Sequence, residues 1–339
     1  MLHGHGDNGY SFNQNIVADF SSNVWYGGEP AGLKEQIFRQ WKHINKYPEV
    51  LAESLTKKVS SHHGLLPEQI LICNGSTESI YLIAQAFKRQ HSGIAFPGFA
   101  EYEDACSMHD HTMQFLSWEN LDPNMRLTTD LFWITNPNNP TGTVFFEMEA
   151  LIRNNPSTTF IIDEAFIEFT QSIRTLIKEV LRYPNLVVLR SLTKVFAIPG
   201  LRLGYMAGAK DIIERIRAIK LPWSVNTPAL EAGRYIFDHY AYIQPPFAQL
   251  LQDKADFTQA LKEIPIKIYP GHTHFFLCET VDETAEELQN WLLHNFGLLI
   301  RNAGNFRGLG PGHFRLATLS PDKNQLLVNA LREWKKRFI

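Results

Sequence analysis

The sequence predicts an α/β protein: a large, mainly parallel sheet of seven strands, with a smaller α+β unit after it. Two observations carry this. Between Leu71 and Gly208, short apolar segments alternate with longer amphipathic ones, the rhythm of strand–helix–strand units. Several of the short segments are continuous runs of β-branched and aromatic residues, as strands buried on both faces require. Strands are expected at residues 70–73, 93–96, 113–118, 131–135, 159–163, 186–190 and 204–207. Residues 78–88 and 146–154 read as helices between them. After about Pro245 the rhythm changes to helix 248–263, strands 266–269 and 275–278, helix 284–296, strands 298–301 and 314–317, and a final helix. The expected division is an N-terminal arm at 1–30 that joins the small domain, a large domain at 31–240 and a small one at 241–339.

Composition narrows the class. With 339 residues, 44% of them hydrophobic, the chain can bury a large core. A net charge of -3 offers no field for nucleic acid. No apolar run approaches the roughly 20 residues that a membrane helix needs. The polar start MLHGHGDNGYSFNQN lacks a signal pattern. Cys73, Cys106 and Cys278 are odd in number and far apart, which suits reduced thiols. A soluble cytoplasmic protein is expected.

In open α/β sheets, ligands sit at the carboxyl ends of the strands. The polar clusters of this chain fall there. After strand 70–73 come Asn74-Gly75-Ser76-Thr77, a small-residue turn opening a helix, where free N–H groups and hydroxyls favour an anion. A plain helix cap is the alternative reading. After strand 131–135 come Asn136-Pro137-Asn138-Asn139-Pro140-Thr141-Gly142, a rigid turn in which Asn139 can offer an amide to a ligand oxygen. Asp163 ends a buried strand and needs a partner there. A protonated pyridine nitrogen is one candidate, an arginine or a helix cap another. After strand 186–190 come Ser191, Thr193 and Lys194, with Arg202 eight residues beyond the lysine. A desolvated lysine at such a place can act as a Schiff-base amine, and Ser191 with Arg202 can hold a phosphate.

Taken together, in this order, these clusters resemble the class I/II aminotransferases of pyridoxal-phosphate fold type I. The motifs are NPNNPTG at 136–142, DEAF at 163–166 and SLTK…GLRLG at 191–204, and the likeness runs over nearly the whole chain. The resemblance implies that Lys194 holds pyridoxal 5′-phosphate as a Schiff base and moves the proton. It implies that Asp163 pairs with the ring nitrogen, which keeps the ring an electron sink. Asn139 would bond the ring 3-oxygen, and Ser76, Thr77, Ser191 and Arg202 the cofactor phosphate. Phe99 would stack on the ring, and Tyr47 would reach the cofactor of a neighbouring subunit in a homodimer. Arg315 would clamp the substrate carboxylate, with Asn23 assisting. One departure stands out: many members carry Tyr where this chain has Phe166, which offers no hydroxyl to the ring oxygen.

Within the family, the chain is similar to members that act on amino compounds carrying a distal phosphate. Arg301, 14 residues before Arg315, would meet that phosphate, as would His5 in His5-Gly6-Asp7-Asn8, where Asp7 replaces the expected glycine. The motifs at 97–102, 190–205 and 222–226 resemble those of phosphothreonine-decarboxylating members, and that resemblance implies decarboxylation of O-phospho-L-threonine to aminopropanol phosphate, for cobalamin biosynthesis. Transamination of histidinol phosphate is the alternative. Three other classes compete. The pairs His3/His5, His109/His111 and His272/His274 suggest a metal, but no Cys or Glu sits at matching spacing, so none is expected. Intact Lys194, Asp163 and Arg202 speak against a non-catalytic descendant. A nicotinamide enzyme is disfavoured because no G-x-G-x-x-G follows an early strand.

Overall fold

Alternation along each strand decides which face every side chain covers. Leu131 and Trp133 enter one core layer, with Leu71, Ile94, Ile161, Val187 and Met206. Phe132 and Ile134 enter the other, with Ile70, Ile72, Phe160, Ile162, Val188 and Ala207. Both layers are closed by helices, so the middle stretches of the central strands carry apolar residues on both faces. The computed structural model describes residues 9–281 and 283–338.

The strands in chain order are β1 (Ala18–Asp19), β2 (Ile70–Cys73), β3 (His91–Phe96), β4 (Thr112–Ser117), β5 (Leu131–Thr135), β6 (Thr159–Asp163) and β7 (Leu186–Ser191). They continue with β8 (Gly204–Gly208), β9 (Ile266–Ile268), β10 (Phe275–Thr280), β11 (Leu298–Leu299), β12 (Arg301–Asn302) and β13 (His313–Ala317). The seven strands expected in the large unit form one sheet, in the order β2-β8-β7-β6-β5-β3-β4. Pairing is parallel from β4 to β7. Only β8 runs the other way, antiparallel to both β2 and β7.

A four-stranded antiparallel sheet, β12-β13-β10-β9, forms the later unit. Helices Phe247–Ala260, Ala285–Phe296 and Pro321–Lys335 pack with it around Phe276, Leu292, Phe314, Leu331 and Trp334. Thr284 caps the second helix through a reciprocal capping box with Glu287, which fixes its start. The N-terminal segment joins this core: Ala18 and Phe20 are buried in it, and β1 pairs in parallel with β11. The single strand expected at 298–301 is in fact two. Residues 298–299 pair with the arm, whereas 301–302 pair with β13. Ile300 between them is fully buried. A sequence run cannot show that its two ends serve different partners. Among the described residues, no helix is long and apolar enough to cross a membrane.

Candidate active site

Because β8 alone is reversed, its first residue lies at the same sheet edge as the last residues of β2 and β7. Gly204 is in register with Cys73 on one side and Ser191 on the other. The segments leaving β2 and β7 and the one entering β8 therefore meet. Helix Gly75–Ala86 opens there, with Ser76 and Thr77 in its first turn. The backbone approach is close: a Cβ on Gly204 would lie 2.8 Å from the Ser76 nitrogen and 2.8 Å from the Arg190 carbonyl oxygen. Gly75 has φ of +78°, and a Cβ on it would fall 2.6 Å from Arg202 Nη2. Two glycines thus let an arginine and a helix N-terminus share one small volume, the requirements of a phosphate cradle. Ser191 adds a hydroxyl, tied to Thr193 Oγ1 at 2.7 Å.

Next along the edge, Asp163 ends β6 and is 4% exposed. Its Oδ1 accepts from the Ala165 backbone N–H at 2.9 Å and its Oδ2 from the Tyr102 hydroxyl at 2.8 Å. Burial pushes this carboxyl up, while the two hydrogen bonds and the nearby Lys194 charge pull it down. Glu164, its neighbour in sequence, is part of a separate buried cluster with Arg190 (3.6 Å) and is raised to about 7 by burial. The asparagine-rich loop after β5 divides its work. Asn136 and Asn138 are buried and hold the loop, Asn138 donating to the Pro97 carbonyl at 2.9 Å. Asn139 lines the cleft, and its carbonyl oxygen accepts from Arg315 Nη1. Its amide N–H donors are the end left for a ligand oxygen.

These residues line a cleft of about 880 Å³. Of the residues singled out from sequence, the structure brings eleven to it: Ser76, Thr77, Phe99, Asn139, Asp163, Ser191, Lys194, Arg202, Asn23, Arg301 and Arg315. The last two sit directly opposite each other on β12 and β13. Like charges facing each other across strands repel, so an anion placed between or beside them is favoured. Arg315 is 6% exposed and also donates to the Ser21 carbonyl at 2.6 Å. Arg301 loses hydration there, which lowers its guanidinium to about 10, still cationic at neutral pH. Asn23 is 4% exposed, and both polar atoms of its side chain lack a hydrogen-bond partner among the described residues. Such a group in a cleft wall calls for a polar ligand.

Two expected residues are not among those eleven. Tyr47 is 82% exposed, beside Trp223 (5.1 Å between rings), and does not reach the cleft of its own chain. His5 lies outside the described residues, as do His3 and Asp7. In the remaining histidine pairs three members have structural partners: His111 bonds Ser92 and the Ala84 carbonyl, His272 bonds Ser172, and buried His274 is lowered to about 3 and bonds the Asn23 carbonyl. Among the described residues, no group of three His, Cys, Asp or Glu could hold a metal ion.

Sequence reasoning missed Tyr102 and Arg307, which both line the cleft. Arg307 lies over the Phe115 ring at 3.8 Å and pairs with Glu103 at 2.6 Å. Its only signal was a third arginine between Arg301 and Arg315. Tyr102 closes the motif at 97–102, but it drew no role of its own because an aromatic in a helix reads as core. Phe166 lines the cleft too, packed against Phe275 at 4.8 Å, with no hydroxyl to offer. The donor set fits pyridoxal 5′-phosphate: an anion cradle, a strand-end carboxylate, an amide, a lysine and an aromatic occupy one cleft.

The family profile "Aminotransferase class I and II" matches residues 15–331. The threonine-phosphate decarboxylase of Salmonella typhimurium is 34% identical over 333 residues, covering 93% of this chain and 90% of that protein. Among solved structures, the L-threonine-O-3-phosphate decarboxylase of Porphyromonas gingivalis superposes with a TM-score of 0.90 at 34% identity, over 94% of this chain and all of that one. The histidinol-phosphate aminotransferase of Clostridium acetobutylicum gives a TM-score of 0.84 at 30% identity, over 95% of this chain and 100% of that one.

The glycine contacts make a direct prediction. Gly204→Ala should force the Ser76 backbone and β7 apart, an overpacking cost of about 1–3 kcal/mol. Titration of the apo-protein with pyridoxal 5′-phosphate should show weaker binding than wild type. Unchanged affinity would remove the close approach from the cradle.

Proposed function

The chain belongs to the class I and II aminotransferase family, and from that membership we propose that it decarboxylates O-phospho-L-threonine to (R)-1-aminopropan-2-yl phosphate. The observation that carries the proposal is the pair of arginines in register over the cleft. Arg315 and Arg301 offer one cation to each of two anionic groups on a single small substrate. Similarity at 34% identity to phosphothreonine decarboxylases, over nearly the full chain, supports the same choice.

Bound pyridoxal 5′-phosphate supplies an electron sink for the bond broken at the substrate Cα. The chain's own residues do the rest. Ser76, Thr77, Ser191 and Arg202 hold the cofactor phosphate, and Asp163 accepts the proton-bearing ring nitrogen. Asn139 donates to the ring 3-oxygen. With Phe166 in place of a tyrosine, a second hydroxyl donor to that oxygen is missing from this wall. Lys194 would hold the cofactor through its amine and would carry the proton at the substrate Cα. Arg315, steadied by Asn139 and Ser21 and joined by Asn23, takes the substrate carboxylate. Arg301 takes the distal phosphate.

Which bond breaks would depend on which one the two arginines orient toward the electron sink that the cofactor would supply. When the two arginines hold Cα–carboxylate in that direction, CO₂ leaves and Lys194 returns a proton to Cα. If Cα–H stood there, Lys194 would remove that proton and transamination would follow. The likeness to histidinol-phosphate aminotransferase makes this the second reading.

Assembly is part of the proposal. Tyr47, with Phe38, Trp41, Ile44 and Trp223, forms an exposed apolar stretch suited to a second copy of the chain. A homodimer would bring Tyr47 into the partner's cleft. Cytoplasmic residence is also proposed, supported by three free, buried cysteines. The product would serve as the aminopropanol arm in cobalamin biosynthesis.

Three outcomes are expected. Incubated with O-phospho-L-threonine and no keto acid, the enzyme should release CO₂ and aminopropanol phosphate. Glutamate formed from histidinol phosphate and 2-oxoglutarate, without that release, would assign the second reading. Arg301→Ala should lower kcat/KM for phosphothreonine roughly tenfold to a hundredfold, the scale of a lost charge-assisted hydrogen bond, and barely change any turnover of threonine; equal losses would take Arg301 out of the phosphate site. Size-exclusion chromatography should give a dimer, and a fully active monomer would overturn the shared site.

A further inference from the structure

Tyr102 stands behind the cofactor residues without belonging to them by sequence. It is 1% exposed, its ring stacked on Trp133 (5.8 Å, 24°) and edge-on to Phe99 (5.9 Å, 86°). Packing on two sides leaves the phenol one orientation, and in that orientation its hydroxyl meets Asp163 Oδ2 at 2.8 Å. The carboxylate has no proton to give, so the phenol is the donor. Burial and the Asp163 charge hold the phenol well above its usual range, so it remains a donor throughout the physiological pH range.

We propose that Tyr102 is the positioning residue for Asp163: its hydroxyl fixes the plane of the buried carboxylate and stabilises its charge, so that the carboxylate is ready for the ring nitrogen of pyridoxal 5′-phosphate. This rests on the cofactor reading above. The physical need is clear. An ionised carboxylate at 4% exposure has lost most of its water, and that loss favours the protonated form. A protonated Asp163 could not accept a second proton-bearing nitrogen. Three groups oppose protonation: the Ala165 N–H on Oδ1, the Tyr102 O–H on Oδ2 and the charge of Lys194. Tyr102 comes from helix Glu101–Met108 and Lys194 from the segment after β7. Glu164, next to Asp163 in sequence, is engaged by Arg190, Thr175 and the Leu176 N–H. The Tyr102 ring also backs Phe99, so one side chain braces two of the proposed cofactor contacts.

The test uses Tyr102→Phe, which keeps the ring and removes only the hydroxyl. Apo-proteins are titrated with pyridoxal 5′-phosphate and with its deaza analogue, in which carbon replaces the ring nitrogen, following tryptophan fluorescence. Y102F should bind pyridoxal 5′-phosphate roughly tenfold to a hundredfold more weakly, the range for a hydrogen bond to a charged group. The sign of the pH effect follows from the acid. Without its donor, Asp163 protonates at higher pH, so the deficit should widen as pH falls from about 8 to about 6. For the deaza analogue, which has no nitrogen to pair, wild type and variant should bind alike. Equal affinities for pyridoxal 5′-phosphate would overturn the proposal. So would a deficit that is the same at every pH or the same for the analogue, since lost packing alone behaves that way. If wild type binds no pyridoxal 5′-phosphate, the cofactor reading falls and this one with it. Should Y102F not hold the fold in thermal unfolding, Tyr102→His, which keeps an N–H donor, and Tyr102→Leu, which keeps none, carry the same comparison. The histidine variant is then expected to bind more tightly, and equal binding by the two would overturn the proposal.

Discussion

Everything in the cleft depends on one register: Cys73, Gly204 and Ser191 lie level across three neighbouring strands. Strands β2 to β7 share one direction, so their carboxyl ends share one edge. Reversed β8 brings its beginning, and with it Arg202, to that same edge. Only a residue without a side chain fits at Gly204, because backbone crowds it from both sides. A one-residue slip would turn every neighbouring side chain to the opposite face. Here it would also withdraw the helix N-terminus from the arginine. The apolar layers on both faces of the sheet prevent that slip, so packing of the core and geometry of the site are one constraint.

The second dependence is electrostatic. The cleft gathers Lys194, Arg202, Arg301, Arg307 and Arg315 against Asp163 and Glu103. A site so rich in cations suits a cofactor and a substrate that are both anionic. Arg307 is held by an acidic partner, Glu103, and by an aromatic face, Phe115. The chain as a whole carries a net charge of -3. The positive field is thus local, made by strand ends and loops rather than by composition.

The two arginines that would orient the substrate come from the later sheet, whereas the cofactor residues come from the large one. Arg315 bridges them through Asn139, and the Ser21 carbonyl of the N-terminal segment steadies it. On the proposed reading, substrate orientation would be set by how two separate sheets meet. No single motif encodes it.

Periodicity in the sequence was enough to determine the seven strands of the large sheet, and strand-end chemistry picked out the lysine, the carboxylate and the small-residue turn that the structure gathers at one edge. These are local signals: continuous apolar runs specify buried strands, and polar residues just past them fall at a common edge. The resemblance to a known family then supplied the roles. Only the tertiary structure decided that the run at 298–301 divides between the arm and β13, and that Arg301 faces Arg315. It alone placed the Tyr102 hydroxyl on Asp163, 61 residues away in the chain. The reason is physical. A hydrogen bond between two buried groups is fixed by the packing of whole elements, and an aromatic in a helix looks the same in sequence whether its hydroxyl is idle or holds a carboxylate.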